Sequence, residues 1–153
     1  MKARLFWGVL LGVVVGAHAA EQEPVLVRNS PDGTSSAIIF GDGHMVLSSS
    51  GRAVYSVRDV QNVIYNPDGS RLLIESNRGT YFEVLNPITG NLIHDRSFTT
   101  PMQFVAWARD DIQEFLVLVD VRTGKLWRYN IGVDIRPLER DEEQLLRLES
   151  YLN

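Results

Sequence analysis

Apolar and polar residues alternate with a period of two through most of this chain, in short runs separated by turn-forming residues. The runs are Val25 to Asn29, Ser36 to Phe40, His44 to Ser48 and Arg52 to Val57, then Gln61 to Asn66, Arg71 to Ser76, Thr80 to Leu85 and Asn91 to Asp95, and last Met102 to Ala108, Glu114 to Val119 and Lys125 to Ile131. Their β-branched and aromatic enrichment predicts strands, and Asp42-Gly43 and Arg78-Gly79 predict hairpins. No helical pattern competes over this span. Phe115 to Val119 is apolar without alternation, as expected of a strand covered on both faces, and marks the innermost core. After Ile131 the period changes: Leu145, Leu146, Leu148 and Leu152 recur among acids and arginines at helical spacing, with Pro137 just ahead. A short amphipathic helix is predicted over Glu139 to Leu152, within a C-terminal segment 135–153.

The punctuation repeats. Ser30-Pro31-Asp32-Gly33 returns 36 residues later as Asn66-Pro67-Asp68-Gly69. Proline sets φ early in such a turn, aspartate bonds to nearby backbone, and glycine accepts positive φ. A second mark, Ser50-Gly51-Arg52, Thr89-Gly90-Asn91 and Thr123-Gly124-Lys125, recurs at spacings of 39 and 34 residues. Residues 20–134 therefore read as three similar units of antiparallel strands. The third is irregular: between Asp111 and Gly124 there is room for one strand where the other units hold two.

These residues resemble the WD-repeat-like β-propeller superfamily in its broad sense, which includes bacterial periplasmic propellers. The best-matching unit runs from Val63-Ile64-Tyr65-Asn66-Pro67-Asp68-Gly69 through Tyr81-Phe82-Glu83-Val84-Leu85 to Thr89-Gly90-Asn91-Leu92-Ile93, and the likeness extends over about residues 24 to 131. The Trp-Asp and Gly-His pairs of the strict WD class are absent from the diagnostic positions. The resemblance implies an all-β fold of propeller-like antiparallel blades. A closed propeller takes four to eight blades, whereas this chain offers three at most. Three arrangements follow: two chains completing a six-bladed ring, an open twisted sheet capped by the terminal helix, or docking onto a partner that supplies the missing surface.

The first twenty residues change the picture of where this domain works. Lys2 and Arg4 precede an apolar stretch, Leu5 to Ala17, of about 13 residues, and Ala17-His18-Ala19 offers a cut before Ala20. Spanning a bilayer takes roughly 20 apolar residues, so residues 1–19 read as a cleavable signal peptide and no stable membrane anchor is expected. With no cysteine there is neither a lipid-attachment site nor a disulfide, and Asn29-Ser30-Pro31 is no glycosylation acceptor. A bacterial periplasmic or secreted location is the expectation. Cleavage moves the formal net charge from −4 to −6, a balance that excludes nucleic acid as an expected partner.

Candidate chemistry is sparse. The remaining histidines, His44 and His94, stand far apart. A triad drawn from Ser48, Ser49 or Ser50 with either histidine and Asp59 or Asp95 lacks a nucleophile elbow, and a zinc site lacks ligands. Asp110, Asp111 and Glu114 cluster at a turn without the glycine and alternation of a calcium loop. No catalytic, cofactor or metal residues are assigned. The candidate interaction surface is the aromatic stripe of Trp127 and Tyr129 with Arg128 exposed between them, together with the helix side carrying Leu145, Leu148 and Leu152, which otherwise packs on the sheet. The expected function is a small exported, non-catalytic protein–protein interaction module that binds a protein partner or itself. One alternative is a carbohydrate-binding or hydrolytic propeller relative whose cleft His94, Asp95 and the Trp127/Tyr129 stripe would line, with a glycan as ligand. A second is a decayed propeller fragment.

Overall fold

A computed structural model of the chain describes residues 23–144 and 146. Twelve strands form three four-stranded antiparallel sheets, each a meander whose spatial order follows the sequence. Blade 1 holds β1 (Pro24–Asn29), β2 (Ser35–Phe40), β3 (Met45–Ser49) and β4 (Arg52–Val57). Blade 2 holds β5 (Val60–Tyr65), β6 (Leu72–Ser76), β7 (Tyr81–Leu85) and β8 (Leu92–Ser97). Blade 3 holds β9 (Met102–Arg109), β10 (Glu114–Asp120), β11 (Leu126–Asn130) and β12 (Asp134–Pro137). The architecture is all-β, with propeller-like blades in an open array and a short helix at the C-terminal end, described at 140–144 and 146.

The alternation read from the sequence becomes the stacking of blades. Ala37, Ile39, Met45 and Leu47 of blade 1 pack on Val63, Leu72, Ile74 and Leu85 of blade 2, forming one core. The opposite face of blade 2, Leu73, Phe82 and Val84, packs on Met102, Leu116, Leu118 and Tyr129 of blade 3 to form a second. Blade 2 is thus covered on both sides, and β6 and β7 bury nearly every residue. Alternating in-and-out polarity is lost there because no face is left for water. β10 has the same pattern for a related reason, in agreement with its unbroken apolar run.

Two tight backbone approaches lock blade 2 to its neighbours. A Cβ at Gly90 would meet the Val54 carbonyl oxygen of blade 1 at 2.2 Å, and one at Gly79 would meet the Met102 carbonyl oxygen of blade 3 at 2.3 Å. Both glycines also have positive φ, so their turns combine a left-handed backbone with a gap only hydrogen can fill.

Blade 3 is complete, which corrects the expectation of a truncated unit. Its fourth strand is β12, drawn from residues that the sequence pattern assigned to the C-terminal helical segment; the helix begins at residue 140. The Thr-Gly marks caused the slip. In blade 2, Asn86 accepts the N–H groups of Ile88 and Thr89, and Thr89 Oγ1 accepts that of Asn91, in the turn joining the third and fourth strands. Asp120 and Thr123 make the same bonds in blade 3, but in the turn joining the second and third strands. This side-chain chemistry shapes one kind of hairpin turn wherever it occurs. It does not count strands.

Candidate interaction surfaces

An array of three blades has two end faces. The end face of blade 3 carries Ala106, Ala108, Phe115, Val117 and Leu126, and it is covered by Leu138 and Leu146. Arg128 lies on this same face, because β11 pairs it with Val117. Its guanidinium carbon stands 3.8 Å from the centre of the Phe115 ring. Its nitrogens donate to Asn130 Oδ1 at 2.7 Å, to Glu142 Oε1 of the helix at 2.8 Å, and to Asp110.

Glu142 is the junction of this latch. Besides Arg128 it accepts from Arg136 Nη2 at 2.6 Å and Nη1 at 3.0 Å, and its Oε2 accepts the Glu139 N–H at 2.9 Å. The last bond is one half of a capping box, in which an acid three residues into a helix satisfies the N–H at its cap. Arg136, with the Glu139 N–H and Arg128, holds the Glu142 carboxyl down at about 2. Arg128 and the turn N–H groups of Gln113 and Ile112 hold Asp110 well below the usual carboxylate range. Two arginines and two acids thus tie the helix across the end of blade 3.

The end face of blade 1 is different. Its cross-strand rows are Val27, Ile38, Val46 and Ser56, then Asn29, Ser36, Ser48 and Ala53, with Phe40 stacked on His44 at the rim. No Asp, Glu, Lys or Arg stands in these rows. Val27 is 47% exposed, and Ser36, Ile38, Phe40, Val46 and Ser48 are half-buried. The 36-residue repeat maps Ser36 and Ile38 onto Leu72 and Ile74, both fully buried against blade 1. Among the described residues, no segment packs over this face as Leu138 and Leu146 pack over blade 3.

The residues singled out from sequence fall into separate places. Tyr129, 1% exposed, is buried in the seam between blades 2 and 3, where burial pushes its phenol up to about 12; Trp127 is half-buried in the same seam, under Lys125. Arg128, expected to be exposed, is 6% exposed, because the face opposite the stripe is itself covered by the helix. The stripe is therefore a packing face. Leu145, Leu148 and Leu152 lie outside the residues whose side chains are described, and Leu146 is the helix leucine that packs on blade 3.

The cleft imagined from His94 and Asp95 does not assemble. Adjacent strand residues point to opposite faces: His94 lies against the Tyr129 ring of blade 3, at 5.9 Å between centroids, whereas Asp95 accepts from Tyr81 Oη on the side of blade 1. His44 meets Ser56 Oγ at 3.2 Å. Asp110 caps its turn by accepting from Ile112 and Gln113, and Glu114 accepts from Asn66 across the seam at 3.0 Å. Among the described residues no group of three histidine, aspartate or glutamate side chains is poised to hold a metal ion.

Sequence reasoning missed two buried acids. Glu83, 5% exposed, accepts from Tyr55 Oη at 2.6 Å between blades 1 and 2, and burial followed by the Glu83 contact raises the Tyr55 phenol. Glu75 is buried toward blade 3, and that burial raises its carboxyl. The signal was available: both acids occupy apolar-patterned strands of the one blade that has neighbours on both sides.

No family model matches the chain, and no curated protein matches it. Solved structures do match, and they are propellers. The WD40 domain of SCAP from fission yeast is similar over 78% of this chain and 34% of its own, with 14% identity and a TM-score of 0.53. The Cps50 (Swd1) β-propeller domain of Myceliophteria thermophila is similar over 83% of this chain and 45% of its own, with 12% identity and a TM-score of 0.55. The β-propeller domain of the trilobed protease from Pyrococcus furiosus, described as having an open velcro topology, is similar over 78% and 43%, at 13% identity and a TM-score of 0.52. The chain thus spans less than half the length of these structures. At such identities the likeness is one of fold: three blades of a WD40-like β-propeller.

Proposed function

We propose that this chain is a small exported, non-catalytic protein–protein interaction module of the bacterial envelope or exterior, released from its leader near Ala19/Ala20. The observation that carries the interaction reading is the end face of blade 1, whose cross-strand rows hold no Asp, Glu, Lys or Arg and over which no described segment packs, whereas Leu138 and Leu146 cover the other end of the array. Propeller blades are a rigid scaffold, and partner binding on them needs only a face or an edge of matching shape. Fold-level neighbours point the same way: one belongs to a structure of the mitotic checkpoint complex, another to the SREBP–SCAP binding domains of fission yeast. Export rests on the order of charge, apolar stretch and small residues in the first twenty positions.

Expression of the full chain in a bacterial host, followed by fractionation and N-terminal sequencing, tests export. The expected product starts at Ala20 outside the cytoplasm; an intact Met1 product in the cytoplasm overturns that part. Cross-linking in intact cells tests interaction. A discrete higher-mass adduct is expected, and an uncross-linked monomer across all cross-linker concentrations overturns it.

A further inference from the structure

We propose that the cavity between the first turns of blades 2 and 3 binds a carboxylate carried on an apolar stem, the acidic side chain or free C-terminus of a peptide segment of a protein partner. The inference deepens the interaction-module reading and rests on it for the natural source of that carboxylate. The two seams of the array are finished differently at this end. Where blades 1 and 2 meet, turn packs on turn: a Cβ at Gly69 would stand 3.1 Å from Pro31 Cδ, and Ser35 Oγ meets Tyr65 Oη at 3.0 Å. Blade 3 has no Pro-Asp-Gly here. Its first turn is closed by the Asp110 N–H on the Gln113 carbonyl, whereas that of blade 2 is closed by the Asn66 N–H on the Arg71 carbonyl, a loop two residues longer. Beside the shorter turn the seam opens into a cavity of about 300 Å³.

Arg71 lines this cavity from blade 2 and Arg109 from blade 3. Neither guanidinium donates a hydrogen bond among the described residues, and Arg71 Nη1 stands 4.0 Å from Glu114 Oε1. The acids beside them are already occupied. Both Glu114 oxygens accept from Asn66 Nδ2, at 3.0 and 3.2 Å, and Asp68 Oδ1 accepts the Ser70 N–H at 2.9 Å and the Ser70 hydroxyl at 2.6 Å. Ser70 above all, with Arg109 last, holds the Asp68 carboxyl below its usual range. The latch arginines are the contrast: Arg128 bonds two carboxylates and Arg136 bonds Glu142 through both terminal nitrogens. Arg71 and Arg109 keep their forks of N–H donors for an acceptor from outside.

The rest of the lining fixes the class of that acceptor. Two guanidiniums against the Asp68 and Glu114 carboxylates leave no net charge, so a monoanion enters at lower electrostatic cost than a phosphate dianion. A planar carboxylate also matches a guanidinium fork with two parallel bonds. Ile131 and the 89% exposed Ile112 offer apolar contact to the stem, and the Gln113 amide adds a donor. Two partly exposed guanidiniums should hold a small carboxylate with a Kd of about 1 mM.

Titration of the mature chain with sodium butyrate, followed by amide and guanidinium NMR shifts, tests this directly. Saturable shifts should gather at residues 68–71 and 109–114, and butyramide should cause none. Arg71→Gln and Arg109→Gln should each weaken butyrate about five-fold, with the remaining amide shifts unmoved. The second variant secures the test if the first fails to fold. Arg122→Gln, on an exposed turn at the other end of blade 3, should leave binding intact. Shifts that never saturate, binding indifferent to both cavity variants, or inorganic phosphate binding as tightly as butyrate each overturn the inference. A leucine-ended peptide in free-acid and amidated forms, and an amidated peptide with one internal glutamate, separate the two sources of carboxylate. Binding by the amidated peptide without glutamate overturns both. In intact cells, a photo-reactive side chain at position 112 should cross-link to another protein, and the adduct should vanish in the Arg71→Gln/Arg109→Gln double variant. An adduct kept in that variant overturns the site and upholds the interaction module. Butyrate binding without any adduct overturns the module and upholds the carboxylate site.

Discussion

The two ends of the blade array are built from similar strands and finished differently. At the blade 3 end, Phe115, Val117 and Ala108 are buried under Leu138 and Leu146, and Arg128 is sunk among them with its charge met by Asp110 and Glu142. At the blade 1 end, Val27, Ile38 and Val46 form one apolar row, with the small side chains of Asn29, Ser36 and Ser48 on one side and the Phe40–His44 stack on the other, and no described segment lies over it. A terminal repeat that must face water is expected to trade apolar residues for polar ones on its outer face. Blade 1 makes that trade only in part: Ser36 replaces the leucine found at the repeat-equivalent Leu72, while Ile38 keeps the isoleucine of Ile74. Blade 3 places Arg128 and Asn130 on its outer face and covers them, with the apolar residues beside them, under a helix.

The sharpest way to break this comparison is to remove one large side chain from each end. Phe115→Ala should cost about 3 to 5 kcal/mol, the range for a buried phenylalanine, and it also takes away the ring beneath the Arg128 guanidinium. Phe40→Ala, at the half-exposed rim of blade 1, should cost about 1 kcal/mol or less. Urea midpoints of the two variants at one protein concentration check the difference. Equal costs would mean that the blade 1 end is covered after all.

A smaller effect is expected from the latch alone. Arg128→Met keeps the apolar stem but leaves Asp110 without its guanidinium and Glu142 with Arg136 only. A loss of about 1 to 3 kcal/mol is expected, the partners being partly exposed. Arg128→Lys should recover only part of it, since an ammonium cannot reach Asn130, Glu142 and Asp110 together. Chemical denaturation measures the cost, and faster amide exchange confined to residues 138–146 would locate it.

Acid should act in the same direction and more gently. Glu142 binds its proton more weakly in the folded chain than in the unfolded one, its carboxyl being moved from 4.5 to about 2. Its contribution is complete above about pH 4.5 and is lost as the pH falls toward 2. Helix exchange should quicken through that window, as should the β1–β2 turn, where Ser30 and Thr34 hold the Asp32 carboxyl down at about 2, while the β3 strand of blade 1, which holds no acid, stays unchanged. A helix equally protected at pH 5 and pH 2.5 would separate the latch from the charge of Glu142.

Most of the strands were legible from alternation alone, and the innermost character of β10 from its unbroken apolar run. The Pro-Asp-Gly turns between the first and second strands of blades 1 and 2 were equally plain. The fourth strand of blade 3 was not. Asp134–Pro137 is four residues long and ends in proline, and the Thr-Gly turn before β11 mimics the one before β8. The surface reading failed for a related reason. Trp127 and Tyr129 do share a face, and Arg128 does point the other way, but alternation names two faces without saying which of them meets water. In blade 3 neither does.

The sequence by itself determined the class of this protein: short strands of period two, a repeat near 40 residues, and a terminal helix, because backbone geometry and turn chemistry are local and leave their mark in neighbouring residues. Only the tertiary structure decided how the repeats end. Covering the blade 3 face required Arg128, Arg136 and Glu142 to meet from three elements, and setting His94 against the Tyr129 ring required blade 3 to stack on blade 2. Those outcomes depend on which surfaces come together after the strands have formed, and no spacing along the chain encodes them.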